Sequence, residues 1–190
     1  MFRAWLGRYN GNMRVALKLH PDSTSAAASS VEVEVTRPRD GALTLSYVVI
    51  GKISSLRVPS AVAPARTDGL WQHTCFEVFL AVPPDVGYYE FNFSPSTQWA
   101  AYRFSGYRSG MQVVSETDAP RIEVSSSPDS YTLRTALNLN MANVPRGTPW
   151  RLGLSAVIEE TNGNKSYWAL AHTPGKPDFH RADCFTYEFS

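Results

Sequence analysis

In the stretch "QHTCFEVFLAVPPDVGYYEFNFS", Gln72 to Ser94, polar groups recur at every second position. His73, Cys75 and Glu77 alternate with Thr74, Phe76 and Val78, and Glu90, Asn92 and Ser94 alternate with Tyr89, Phe91 and Phe93. A period of two places alternate side chains on opposite faces of a strand. The imidazole, the thiol, the two carboxylates, the amide and the hydroxyl therefore share one face. Such a face either lines a site or simply meets water.

Matching the apolar faces sets the register, because a slip of one residue turns every core side chain outward. Thr74, Phe76, Val78 and Leu80 meet Tyr89, Phe91 and Phe93 when Glu77 lies opposite Asn92. Phe76 then faces Phe93, Val78 faces Phe91, Leu80 faces Tyr89, Cys75 lies beside Ser94 and Phe79 beside Glu90. The loop is Pro83 to Val86, and Glu77 and Glu90 become diagonal neighbours roughly 7–8 Å apart at the backbone. An ordinary solvated face carries long charged side chains. Here Phe79 and Tyr88 share the polar face and no Lys or Arg does, which resembles the lining of a pocket.

The next segment, "SPSTQWAAYRFSGYRSG", turns at Ser94-Pro95-Ser96 and enters a strand with Gln98, Trp99, Tyr102, Arg103 and Tyr107. Aromatic rings beside Asn, Gln, Glu and Arg suit a sugar, whose CH-rich face stacks on an indole while its hydroxyls take paired donors and acceptors. Trp71 and Trp99 are the expected exposed rings. The candidate ligand-binding residues are Trp71, His73, Glu77, Glu90, Asn92, Ser94, Gln98, Trp99, Tyr102, Arg103 and His180.

Period-two alternation also runs through Val31–Val35, Leu43–Ile50, Arg121–Ser126, Tyr131–Leu139, Trp150–Glu159, Lys165–His172 and Cys184–Phe189. Turn residues separate these runs: "RPRDG", "PPDVG", "SSPDS", "TNGN" and "TPGKPD". "TNGN" predicts a hairpin with a type I′ turn. The only helical signal is a short turn in "NLNMANVP", Asn138 to Pro145. About a dozen short strands predict an all-β antiparallel sandwich of two sheets. Residues 1–12 read as an N-terminal arm or an early start, and 13–190 as one sandwich domain. "PDSTSAAASS" reads as a mobile loop.

With 190 residues, 43% hydrophobic and 18% charged, the chain has the composition of a folded domain. Its net charge of +1, without a basic block, argues against nucleic acid and anionic lipid as partners. No apolar run approaches the roughly 20 residues of a membrane span. The start lacks the apolar core of an export signal, so the expected location is cytoplasmic. In that compartment Cys75 and Cys184 are expected as reduced thiols. A second polar cluster, "HTPGKPDFHRAD" (His172 to Asp183), matches no metal-ligand spacing.

The segments "DGLWQHTCFEVFL", "YYEFNFSPSTQWAAYRFSGYRSGM" and "GKPDFHRADCF" resemble a bacterial group of DOMON-like proteins related to the family 9 carbohydrate-binding modules. The resemblance runs from Met13 onward. It implies a β-sandwich of two antiparallel sheets with a ligand site and no catalytic machinery. The "W…E.F" strand motif of the carbohydrate-binding branch is matched by Trp71, Glu77 and Phe79. No copy of that branch's calcium-binding acidic residues stands out. The missing export signal favours an intracellular sugar, a nucleotide sugar or a cell-wall precursor over a plant polysaccharide.

The leading reading is a non-catalytic domain that binds a sugar-like small molecule and has no resident cofactor or metal. Haem is the alternative, with axial ligands drawn from His73, His172, His180 and Met111. A glycosidase pair of Glu77 and Glu90 is a third, since retaining enzymes hold their carboxylates about 5–5.5 Å apart. Against it, Glu90 could simply pair with Arg103, and G-x-S-x-G, phosphate-loop and H-E-x-x-H motifs are absent. A sheet edge or exposed aromatic patch would equally serve a protein partner or a second copy of the chain.

Overall fold

The computed structural model describes residues 12–38, 41–114, 118–139 and 149–189. Among the described residues twelve strands form in chain order: β1 (Asn12–Leu19), β2 (Ala28–Thr36), β3 (Ala42–Gly51), β4 (Cys75–Ala81), β5 (Tyr88–Phe93), β6 (Trp99–Phe104), β7 (Gln112–Val113), β8 (Arg121–Ser126), β9 (Ser130–Asn138), β10 (Trp150–Glu159), β11 (Lys165–Ala169) and β12 (Tyr187–Phe189). All named pairings are antiparallel, in the order β7-β6-β5-β4-β10-β11-β1-β2-β3-β9-β8, with β12 beside β10. The fold is all-β, as the alternation predicts.

The two expected layers are continuous. β1 pairs with β2 over Asn12–Leu17, then with β11 through Lys18 and Leu19, so the two layers belong to one curled sheet that ends in β7 on one side and β8 on the other. The sequence reading missed this strand, although Met13, Val15, Leu17 and Leu19 alternate with polar or small residues in the usual way. Asn12, assigned there to the arm, begins β1; residues 1–11 lie outside the described residues. So do residues 140–145 of the expected helical turn, while Asn138 ends β9. The helical structure described is confined to short 3₁₀ turns such as Leu70–Gln72 and Ala182–Cys184. No described helix is long and apolar enough to cross a membrane.

Between the layers lies the main core. Val31, Val33 and Val35 of β2, Leu45 and Tyr47 of β3 and Leu133 of β9 face Phe76, Val78, Phe91, Phe93 and Leu152, and all are buried. The Tyr47 ring lies 5.1 Å from that of Phe76, and its hydroxyl donates to the Glu77 carbonyl at 2.6 Å. The two layers are thereby tied together directly behind Glu77.

Every residue of β5, and all of β4 except Ala81, is buried, so this layer is covered on both faces. A second apolar cluster on the outer face joins Leu70, Cys75, Phe79, Tyr88, Tyr102, Phe104, Phe179, Cys184 and Phe185. Its roof comes from the segment after β11. The strand expected to reach His172 stops at Ala169, and the one expected from Cys184 begins only at Tyr187. The intervening residues instead pack on the sheet. Gly153 of β10 makes room for them: a Cβ there would lie 2.5 Å from Phe185 Cδ1 and 3.3 Å from Phe79 Cβ.

The "TNGN" hairpin forms between β10 and β11, but not with the type I′ turn. Only Gly163 has a positive φ, 89°, while Gly163 N bonds to Glu160 O at 2.9 Å and Asn164 N to Asn162 Oδ1 at 2.9 Å. This is the three-residue loop in which a left-handed glycine follows a type I turn. Glu160 also anchors the loop read as mobile: its Oε1 accepts from Ser25 Oγ at 3.0 Å, Ala26 N at 2.8 Å and Ala27 N at 3.1 Å.

Candidate functional site

The register of the central hairpin is the one the apolar faces dictate. Glu77 lies opposite Asn92, Phe76 opposite Phe93, Val78 opposite Phe91 and Phe79 opposite Glu90. Glu77, Glu90 and Asn92 therefore share the outer face, and Ser155 joins them because β10 pairs it with Glu77. Ser155 donates its hydroxyl to Glu77 Oε2 at 3.0 Å, and Asn92 Nδ2 donates to Glu90 Oε1 at 2.8 Å. The four residues are 1–5% exposed, so the polar face is roofed rather than open.

The roof is the loop around His180. Tyr88 Oη accepts a hydrogen bond from Arg108 N at 3.2 Å and lies 2.8 Å from His180 Nδ1, to which it donates when that nitrogen carries no hydrogen. In that tautomer the ring hydrogen of the neutral imidazole is on Nε2, which faces Glu90 Oε2 from 3.8 Å. Outside this layer, Asp178 accepts from Tyr107 Oη at 2.6 Å and from Arg108 Nη2 at 2.9 Å and Nε at 3.3 Å. Arg108 holds a left-handed backbone, φ 48°, at the tip that follows β6. Arg181 stacks over the Tyr107 ring at 5.3 Å. These contacts clamp the β6–β7 tip to the His180 loop.

Burial and mutual repulsion govern the protonation of the floor. Burial first, then the neighbouring Glu90, raises the Glu77 carboxyl well above the usual range, against the opposing pull of the Ser155 bond. Burial likewise raises Glu90, opposed by its bond from Asn92 and by Arg108. Burial and then Arg108 lower His180 to about 4, so it is neutral near neutral pH. Burial acts upward on Asp178 too, but the bonds from Tyr107 and Arg108 outweigh it and hold this acid below its ordinary value.

The clamp makes a local prediction. Asp178→Ala should cost roughly 1–2 kcal/mol, toward the lower end because Arg108 is half in solvent. Amide exchange should quicken for residues 178–181 and stay slow in β4; equal acceleration in both would show that the loop and the sheet open as one unit.

The remaining predicted residues divide. His180 joins the site as part of its roof, reaching Tyr88 and facing Glu90 from a distant loop. Trp71 is 56% exposed in the 3₁₀ turn whose Leu70 packs on the outer cluster. His73 stands at the mouth of β4, half-exposed, with Nδ1 2.8 Å from Glu159 Oε2. Tyr102 is on the outer face but gives its hydroxyl to Asp68; burial first and then Asp68 raise that phenol. Ser94 accepts from Ser96 Oγ at 2.8 Å, and Gln98 donates Nε2 to Thr67 Oγ1 at 2.8 Å, so both build the turn before β6.

Two assignments are overturned. Trp99 pairs with Phe93 and is buried in the core between the layers, and Arg103 pairs with Tyr89, lying 5.7 Å over that ring. Cross-strand partners share a face, so both point away from Glu77. A Glu90–Arg103 ion pair is thereby excluded. Ser155 and Arg108 went unnoticed in the sequence. The one available signal for Ser155 was a hydroxyl at an alternate position of the otherwise apolar run "LGLSAVIE".

Cys75 and Cys184 are both free and buried. No group of three or more His, Cys, Asp or Glu side chains among the described residues is placed to hold a metal ion. Of the haem-ligand candidates, His172 Nε2 lies 2.8 Å from the Lys18 carbonyl and Met111 is 61% exposed.

The curled antiparallel sheet is similar in fold to several solved structures. It is similar to a Bacteroides uniformis protein to which carbohydrate binding has been ascribed: TM-score 0.68 at 16% identity, covering 92% of this chain and 84% of that one. It is also similar to a family 9 carbohydrate-binding module from Caldicellulosiruptor kristjanssonii in complex with cellotriose, with TM-score 0.51 at 14% identity over 84% of this chain and 74% of that one. The same kind of module from that organism in complex with glucose gives TM-score 0.50 at 14% identity, covering 84% and 76% of the two chains. The chain thus has the fold of the family 9 modules. No protein-family model and no curated protein sequence matches it.

Proposed function

We propose that this chain is a non-catalytic carbohydrate-binding domain whose ligand is held by the outer face of β4, β5 and β10. The observation that carries this reading is the row Glu77, Asn92, Glu90 and Ser155, a carboxyl-amide-hydroxyl array bordered by aromatic rings. Hydroxyl groups need donors and acceptors in close alternation, and a carboxyl held protonated supplies both. Trp71 offers an exposed indole in the turn that packs against this face. The fold shared with modules described in complex with glucose and cellotriose supports the same ligand class. A ligand reaching the row displaces the roof around His180, so part of the binding energy goes into that opening.

Calorimetric titration with glucose and cellotriose tests the reading. Binding is expected, with Glu77→Gln and Trp71→Ala each weakening it by about tenfold. In a thermal-shift format, a ligand at about 100 times its Kd stabilises the fold by about 2.7 kcal/mol. If both variants bind as tightly as the unmodified chain, the ligand sits elsewhere.

A further inference from the structure

The His180 ring is enclosed by other rings. The centroids of Phe79, Tyr88 and Phe104 lie 5.2, 5.9 and 5.2 Å from it, each ring at a steep angle, and Phe185 backs Phe79 and Tyr88 at 5.6 and 5.5 Å. Its Nε2 faces Glu90 without reaching hydrogen-bond distance. Beside Glu90 lie Glu77 and Asn92. The Oδ1 of Asn92, a residue only 1% exposed, has no hydrogen-bond partner among the described residues. Such an orphan acceptor in a buried site calls for a missing donor.

The floor of this chamber is rich in acceptors and its walls are π systems. Arg108 is the cation that acts on both acids, but its guanidinium is engaged by Asp178. We propose that the chamber is a cage for a primary ammonium group, and, resting on the carbohydrate reading above, that the preferred ligand is an amino sugar, with His180 filling the cage in the free chain. An ammonium carries three donors and no acceptor. A cation favours the ionised acid that burial opposes, so the pair releases a proton to solvent on binding; Glu77, Glu90 and the Asn92 oxygen then offer the ammonium three acceptors, and the surrounding rings favour it through their quadrupoles. A phosphorylated or uronic sugar would meet two acids and no available counter-charge. Neutral His180 lies among these rings but leaves the Asn92 oxygen unpaired, so a cation gains bonds that the resident imidazole does not make.

Titration calorimetry near neutral pH with glucosamine, N-acetylglucosamine, glucose and methylammonium decides the matter. Glucosamine is expected to bind about tenfold or more tightly than either neutral sugar. Glu90→Gln should abolish that preference, and His180→Ala should tighten glucosamine because no occupant has to leave. Equal or tighter binding of glucose or N-acetylglucosamine overturns the cage and leaves the carbohydrate reading standing. Binding of methylammonium without any sugar supports the cage and overturns the carbohydrate reading. If none of the four binds, the cage falls, and the cellotriose titration decides the carbohydrate reading. Should His180→Ala fail to fold, the four-probe series on the unmodified chain, together with Glu90→Gln, still decides the outcome.

Discussion

Trp99→Ala lowers the stability of the fold by about 3–5 kcal/mol, the range for removing a buried aromatic side chain. Trp99 is 7% exposed, lies opposite Phe93 and packs in the core between the layers. Its backbone also holds the preceding loop: Trp99 N bonds to Ala65 O at 3.1 Å, and Thr67 N to Trp99 O at 2.8 Å. Urea unfolding would register the change as a lower midpoint with little change in slope. Trp71→Ala, at an exposed position, should stay within about 0.5 kcal/mol of the unmodified chain. The two tryptophans thus separate a packing role from a candidate ligand role in one experiment. If Trp99→Ala proved as stable as the parent, the indole would have to lie outside the core, and the assignment of faces in β6 would be wrong.

The acid pair makes stability depend on pH in an unusual direction. Glu77 has its pKa raised from 4.5 to about 8, and Glu90 is raised as well, so the folded chain keeps protons that the unfolded chain gives up. Their contribution is complete below the ordinary carboxyl value and is lost as pH rises through the folded one. His180 acts in the opposite sense. Its value falls from 6.5 to about 4, so its contribution is complete above 6.5 and is lost on acidification toward 4. Above pH 6.5 only the acids still vary. Each pH unit is worth at most about 1.4 kcal/mol per group, so stability should fall by about 2 kcal/mol between pH 6.5 and 8. Glu77→Gln removes the leading titration and should flatten this decline, leaving stability at pH 5 nearly unchanged. Denaturant midpoints measured at several pH values would test it; a stability that rises from pH 6.5 to 8 would mean that the pair is ionised in the fold.

The central hairpin was legible because its information is local. Phe76, Val78, Leu80, Tyr89, Phe91 and Phe93 share one face only in registers an even number of residues apart, and the short loop between the strands selects the one that sets Glu77 opposite Asn92. Trp99 was misplaced because the turn from Ser94 to Gln98, with Thr97 at φ 71°, sets which face β6 begins on, and aromatic character carries no such information. β1 was overlooked, although it alternates, because it follows directly on the aromatic and basic residues read as the arm.

Taken alone, the sequence determined the strands, their antiparallel character and the gathering of Glu77, Glu90 and Asn92 on one face, since a two-residue period and apolar matching act over a few neighbours. Only the tertiary structure decided what that face meets. His180 reaches Tyr88 across 92 positions, and Ser155 reaches Glu77 across 78. Contacts of that span depend on how the sheet curls and on whether Gly153 lets Phe185 lie against it, which no local pattern encodes. A face that alternation alone would leave to solvent thus becomes a closed chamber in which burial raises both acids.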